Sequence, residues 1–201
     1  MIFYHVSSFI NEGDILKKTT KPLQEWCKET EQCDVSTSHK VQEYYQYLIN
    51  QNVEEKTGKD AIKWCCEAIF DCVRRVNFPT MPSRIWGVYL LNNFEEARCF
   101  LDEYRHISIS PEGEKLIPKI FEITDFSEKD VFCFDMNIFT LADYKLRSSL
   151  LSNCFDDIVY NDVITLAKQY WSGKLCINFT CEYLTNKDVY IGKKIYEKKE
   201  N

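Results

Sequence analysis

The amino-acid sequence predicts a single α+β domain over residues 1–201, and three observations carry that expectation. A chain of 201 residues is long enough for one hydrophobic core and too short for two independent ones. Apolar types make up 45% and charged types 28%, with only 6 Gly and 5 Pro to interrupt regular elements, which is globular rather than disordered composition. Runs with helical periodicity are interleaved with short β-rich runs, so neither an all-helix nor an all-strand architecture fits.

Taken in order, Ile2 to Ser8 reads as a short strand, with Phe3, His5 and Ser7 on one face and Tyr4, Val6 and Ser8 on the other. Residues 9–38 read as loop with a short helix around Pro22 to Glu29. Val41, Tyr44, Tyr45 and Leu48 recur at helical spacing between Lys40 and Asn50. Ile62, Cys65, Cys66, Ile69 and Val73 mark a second amphipathic helix between Lys59 and Arg75. Two prolines make Asn77 to Ser83 a rigid connector, because each lacks an amide donor and restricts the residue before it.

Arg84 to Leu91 is rich in β-formers and reads as a strand with Ile85, Gly87, Tyr89 and Leu91 on one face. Asn92 or Asn93 then caps a helix whose apolar stripe is Ala97, Phe100, Leu101 and Tyr104, with Glu96 in the capping-box position. Lys119 to Thr124 and Val131 to Phe134 read as strands. Asn161 is expected to cap a helix burying Val163, Leu166, Ala167 and Tyr170, and Gly173 to stop it. Phe179 to Leu184 and Val189 to Ile191 read as two strands of a hairpin turned by Thr185 to Asp188, followed by a charged, fraying tail from Lys193.

A formal charge of -6 gives no general electrostatic reason to sit on nucleic acid or an anionic membrane, so a nucleic-acid partner has to be recognised by a local site. No apolar run approaches the roughly 20 residues of a membrane span, and the N-terminus lacks the order of a signal peptide, so the expected location is the cytoplasm. Ten cysteines in a chain of this length then read as thiols of a reducing compartment, most of them buried. No Cys-x-x-Cys pair is present, and His5, His39 and His106 do not meet cysteines at zinc-finger spacing, so no metal site is expected.

A Gly-rich phosphate loop, a Gly-x-Ser-x-Gly elbow and a His-Glu-x-x-His helix are all missing. What remains is a set of polar residues in well-separated strands: His5 in the first, Tyr89 two residues after Gly87, and Glu182 near the end. In that order, Tyr4-His5-Val6-Ser7 resembles the first-strand His-Gly-Ser/Thr of the ADP-ribosyltransferase superfamily, Gly87-Val-Tyr89-Leu with Ala97 resembles its Gly-x-Tyr-Phe strand and following helix, and Glu182-Tyr-Leu resembles its final glutamate strand. The run Arg74-Arg75, Phe78-Pro79, Pro82-Ser83-Arg84 is also similar to a little-characterised bacterial family placed near those transferases.

The resemblance implies a split mixed or antiparallel sheet with covering helices and an NAD cleft. It implies that Glu182 stabilises an oxocarbenium-like ribose, that His5 bonds a ribose hydroxyl and that Tyr89 stacks on nicotinamide. Backbone groups of Val6, with Ser7, would hold the carboxamide, and Arg84 would meet the diphosphate. Val6 stands where the superfamily has glycine, and its side chain threatens to crowd the pocket. Each residue also has a plainer reading: Glu182 solvated on an exposed strand face, His5 a structural contact, Tyr89 core, and Arg74 and Arg75 a solvated helix end. The implied activity is ADP-ribosyl transfer to an intracellular macromolecule, protein or nucleic acid, as a bacterial toxin or defence effector held in check by an inhibitory partner. NAD hydrolysis and an inactive protein-interaction module are the alternatives.

Overall fold

The computed structural model describes residues 2–21, 23–103, 108–109, 115–124 and 127–197. Pro22, Tyr104 and His106 of the sequence reading lie outside them, as does the tail beyond residue 197. Strands β1 (Phe3–Ser7) and β2 (Ile15–Leu16) precede four helices, α1 (Gln24–Gln32), α2 (Ser38–Asn50), α3 (Val53–Thr57) and α4 (Ala61–Asn77). Next come β3 (Val88–Leu90), α5 (Phe94–Glu103), β4 (Ser108–Ile109), β5 (Lys115–Leu116), β6 (Lys119–Thr124) and β7 (Phe132–Asp135). Helices α6 (Met136–Leu151) and α7 (Asp157–Trp171) lead into β8 (Cys181–Thr185) and β9 (Val189–Glu197).

The strands form a four-stranded sheet ordered β1-β6-β9-β2, a three-stranded sheet ordered β3-β8-β7 and a small β4-β5 pair. The α+β class therefore holds, and every strand pair among the described residues is antiparallel, so the mixed pairing is not found. The two larger sheets meet where Tyr4 and Leu91 exchange backbone hydrogen bonds of 2.7 and 2.9 Å. That bridge, with the His5–Tyr89 hydrogen bond, brings β1 beside β3 and lets residues from both sheets face one cleft.

Helix α4 is the centre of the larger core. Its apolar face packs on α1, α2, α6 and α7, and Phe70 meets Phe139 and Tyr170 edge-on with ring centroids 4.9 and 5.4 Å apart. Phe134 of β7 stacks on Tyr170 at 4.8 Å, and the Trp171 indole N–H donates to the Phe70 carbonyl at 2.7 Å, so the buried ring also satisfies its polar atom. Trp171 thus packs the end of α7 against α4. A second cluster, including Phe3, Leu90, Phe121 and Ile191, fills the space between the sheets.

Five sequence expectations need correction. The strand foreseen over residues 84–91 is only β3, because the Ser83 hydroxyl accepts the amides of Ile85 and Trp86 at 3.2 and 3.3 Å and its carbonyl accepts that of Gly87 at 2.6 Å. Helix α7 begins at Asp157 with Asp156 as cap, its carboxylate accepting the amides of Ile158 and Val159, so Asn161 lies inside the helix. Strands β8 and β9 are not a hairpin: both edges of β8 are taken by β3 and β7, so β9 pairs with β6 and β2 instead. Beyond Lys193, β9 stays paired with β6 as far as Lys119↔Glu197, through a register shift between Phe121↔Lys194 and Ile120↔Tyr196, rather than fraying. All ten cysteines are free thiols as expected, yet only Cys27, Cys65 and Cys66 are buried, and Cys99, Cys154 and Cys176 are exposed.

Candidate active site

The cleft between the sheets and α4 opens into a cavity of about 510 Å³ lined by His5 and Val6 of β1, Tyr89 of β3, Glu182 of β8 and Arg84. Residues separated by up to 177 positions in the chain are thus brought to one wall (182 − 5). The volume lies within the range of about 300–1,000 Å³ usual for small-molecule sites. Ser7 does not line this cavity; its hydroxyl accepts the Phe9 amide at 3.1 Å.

Backbone geometry decides where Val6 points its polar groups. Along a strand the N–H and C=O of residues i and i+2 face the same side. Tyr4 uses both groups toward Leu91, on the side away from β6. Those of Val6 therefore face the same open side, and Val6 makes no bond to β6 through them. The valine side chain leaves this donor and acceptor pair intact.

His5 is fixed by a 2.8 Å hydrogen bond between Nδ1 and the Tyr89 carbonyl. A carbonyl only accepts, so Nδ1 carries the proton and Nε2 keeps a lone pair. Burial, with a smaller contribution from Lys21, pushes the imidazole down to about 4, against the raising effect of the carbonyl. At neutral pH His5 is thus an uncharged acceptor at Nε2. Tyr89 is held by donating its hydroxyl to the Arg84 carbonyl at 2.8 Å, which sets its ring as one wall of the cavity.

Glu182 is not a solvated strand residue: its side chain keeps 10% exposure. Burial raises its carboxyl above the ordinary carboxylate range, opposed by the Arg84 guanidinium and the Tyr170 hydroxyl. Both of those groups donate to Oε2, leaving Oε1 without a hydrogen bond among the described residues. Arg84 in turn forks onto Glu67, Nε to Oε2 at 2.9 Å and Nη2 to Oε1 at 3.3 Å, and lies 3.7 Å over the Phe139 ring. The Glu67 carboxyl, despite burial, is held down to about 2 by Arg84 and Lys59.

Arg84 lines the cavity, yet it is committed to two carboxylates and only 3% exposed, which leaves it little freedom for the diphosphate contact expected of it. Arg74 is buried and bonds Asp71 at 2.9 Å, while Arg75 bonds the same carboxylate at 3.0 Å. Asp71 also takes the Ser83 hydroxyl at 3.0 Å, which ties the proline connector to α4 and positions Arg84 behind it. These arginines build the scaffold.

Glu67, Tyr170 and the cavity-lining Lys21, Lys59 and Lys63 were missed in the sequence. One signal was present: Glu67 and Asp71 stand four apart within the apolar face of α4, and charged residues there are rarely buried unless paired. A family model described as Protein of unknown function (DUF2441) matches residues 3–197, so the chain belongs to that family. No curated protein matches it.

Proposed function

We propose that this DUF2441 member is an NAD-dependent ADP-ribosyltransferase acting on a macromolecule, with an ADP-ribosyltransferase-like split sheet. The observation that carries the reading is the convergence of His5, Tyr89 and Glu182, from three strands in two sheets, on one ligand-sized cavity. Three further features fit NAD. The neutral His5 Nε2 suits a ribose hydroxyl donor. The outward N–H and C=O of Val6 match the acceptor and donor of a carboxamide. The Tyr89 ring offers a face to nicotinamide.

In the reaction the bond between ribose C1′ and the nicotinamide nitrogen breaks, and the electron pair leaves with nicotinamide. The ribose becomes oxocarbenium-like until the acceptor nucleophile bonds to C1′ and gives up its proton. Glu182, Glu67 and Arg84 together carry a net single negative charge at the cavity floor, which opposes that developing positive charge. Glu182 Oε1 is the acceptor left for a ribose hydroxyl, and Tyr170 with Arg84 holds the carboxylate in place through Oε2.

By resemblance, the biological setting is a bacterial toxin or defence effector in the cytoplasm, controlled by a partner that covers the cleft. No helix among the described residues is long and apolar enough to cross a membrane. The test is incubation with NAD labelled in its adenylate half and a cell extract, followed by protease or nuclease digestion. Label bound to macromolecule and released by protease alone identifies a protein acceptor, and release by nuclease alone identifies nucleic acid. Free ADP-ribose with no attached label would replace the proposal with NAD hydrolysis, and no turnover with retained protein binding would replace it with an interaction module.

A further inference from the structure

The same cavity has a flank that the transferase residues do not use. Four cationic side chains line it, Lys21, Lys59, Lys63 and Arg84, against two carboxylates, Glu67 and Glu182, an excess of two positive charges (4 − 2) in a chain whose net charge is -6. Arg84 is spent on the carboxylates, so the excess sits on the lysines.

None of the three is a freely solvated surface lysine. Lys59 lies 4.5 Å over the Trp64 ring and Lys21 5.5 Å over Tyr89, both rings of the cavity wall, and Lys63 lies 4.4 Å over Phe139. Their polar partners are few. Lys21 donates to the Ile85 carbonyl at 2.6 Å, and Lys59 approaches Glu67 at 3.6 Å. Among the described residues Lys63 makes neither a hydrogen bond nor an ion pair. Lys59 and Lys63 also flank the start of α4, where the carboxylate of the cap Asp60 accepts the Lys63 amide at 2.8 Å. Burial, with Lys59 and Arg84 adding to it, pushes the Lys21 ammonium down to about 8, a cost that a bound anion removes.

We propose that Lys21, Lys59 and Lys63 form a diphosphate-binding subsite, taking the dianionic diphosphate ester of a dinucleotide. The two negative charges of such an ester match the excess on the wall, and the lysines supply rotatable donors to its oxygens. The site is then divided by charge: an acidic floor at Glu182 and Glu67 for the reacting ribose, and a basic flank for the diphosphate. In naming a dinucleotide the assignment rests on the NAD reading, while the diphosphate preference rests on the lysines alone.

Calorimetric titration of the full chain with ADP-ribose, inorganic pyrophosphate and nicotinamide separates the two. The variants are Lys63→Met, the double variant Lys21→Met with Lys63→Met, and the double variant with Arg at both positions. ADP-ribose and pyrophosphate are expected to bind the parent, to lose about tenfold in affinity per Lys→Met change, and to recover most of it with Arg. Nicotinamide affinity should not change. Binding of pyrophosphate and ADP-ribose through the lysines without any binding of nicotinamide keeps the subsite and removes the NAD reading. Equal affinity of parent and Lys63→Met for both diphosphates, with both proteins melting alike, overturns the subsite, and so does failure of the parent to bind either.

Discussion

Arg84→Met removes the guanidinium that Glu67 and Glu182 share and leaves two buried carboxylates facing each other across the cavity floor. Breaking a buried ion pair from one side costs about 3–5 kcal/mol, so the variant should unfold at markedly lower denaturant. A direct diphosphate contact would instead lower NAD affinity and leave the denaturation midpoint near the parent's. Urea titration beside NAD binding distinguishes the two roles. His5, Tyr89 and Glu182 were legible in the sequence because each sits in a short recognisable strand context. The role of Arg84 was not, because its partner Glu67 lies 17 positions away on a helix and no spacing rule links them.

Gly87 shows how an element places the site. A Cβ there would lie 2.3 Å from the Ser83 carbonyl oxygen and 3.2 Å from that of Thr185, so the turn leading into β3 closes only on a glycine. Gly87→Ala should cost about 1–3 kcal/mol and displace Tyr89, lowering thermal stability and NAD affinity together. An alanine variant that melts with the parent would show that the turn relaxes freely. The strand pattern alone could not show this turn, because Arg84 to Leu91 is rich in β-formers around Gly87 and the Ser83 hydroxyl redirects it through local hydrogen bonds. Helix α6 escaped for a related reason: it buries Ile138, Phe139, Ala142 and Leu146 but exposes Leu141, Tyr144 and Leu151, which blurs the apolar stripe. The separation of β8 from β9 depended on which strand edges were already occupied, a long-range property that a four-residue connection does not reveal.

For the whole molecule, acid should weaken folding through the site itself. His5 falls from an ordinary 6.5 to about 4, so between those values the unfolded chain binds a proton that the folded one does not, and stability drops as pH falls through that window. Glu67, held near 2 against an ordinary 4.5, extends the loss to lower pH, while the raised Glu182 works in the opposite sense. Melting temperature should therefore fall steadily from pH 6.5 to pH 3, with His5→Gln flattening the upper part of the curve; an unchanged slope in that variant would remove His5 from the account. The α+β class was readable from composition and periodicity, whereas the cavity depends on long-range contacts that join the two sheets: the Tyr4–Leu91 backbone bridge, the His5–Tyr89 hydrogen bond and the apolar cluster between them. The most direct test of that cavity as an NAD site is nicotinamide release by the parent and by Glu182→Gln at saturating NAD. The parent should release nicotinamide, and the folded variant should bind NAD with similar affinity yet release it about 100- to 1,000-fold more slowly, the loss of roughly 3–4 kcal/mol of transition-state stabilisation. Release by the variant at the parent's rate, or none by the parent, would contradict the account.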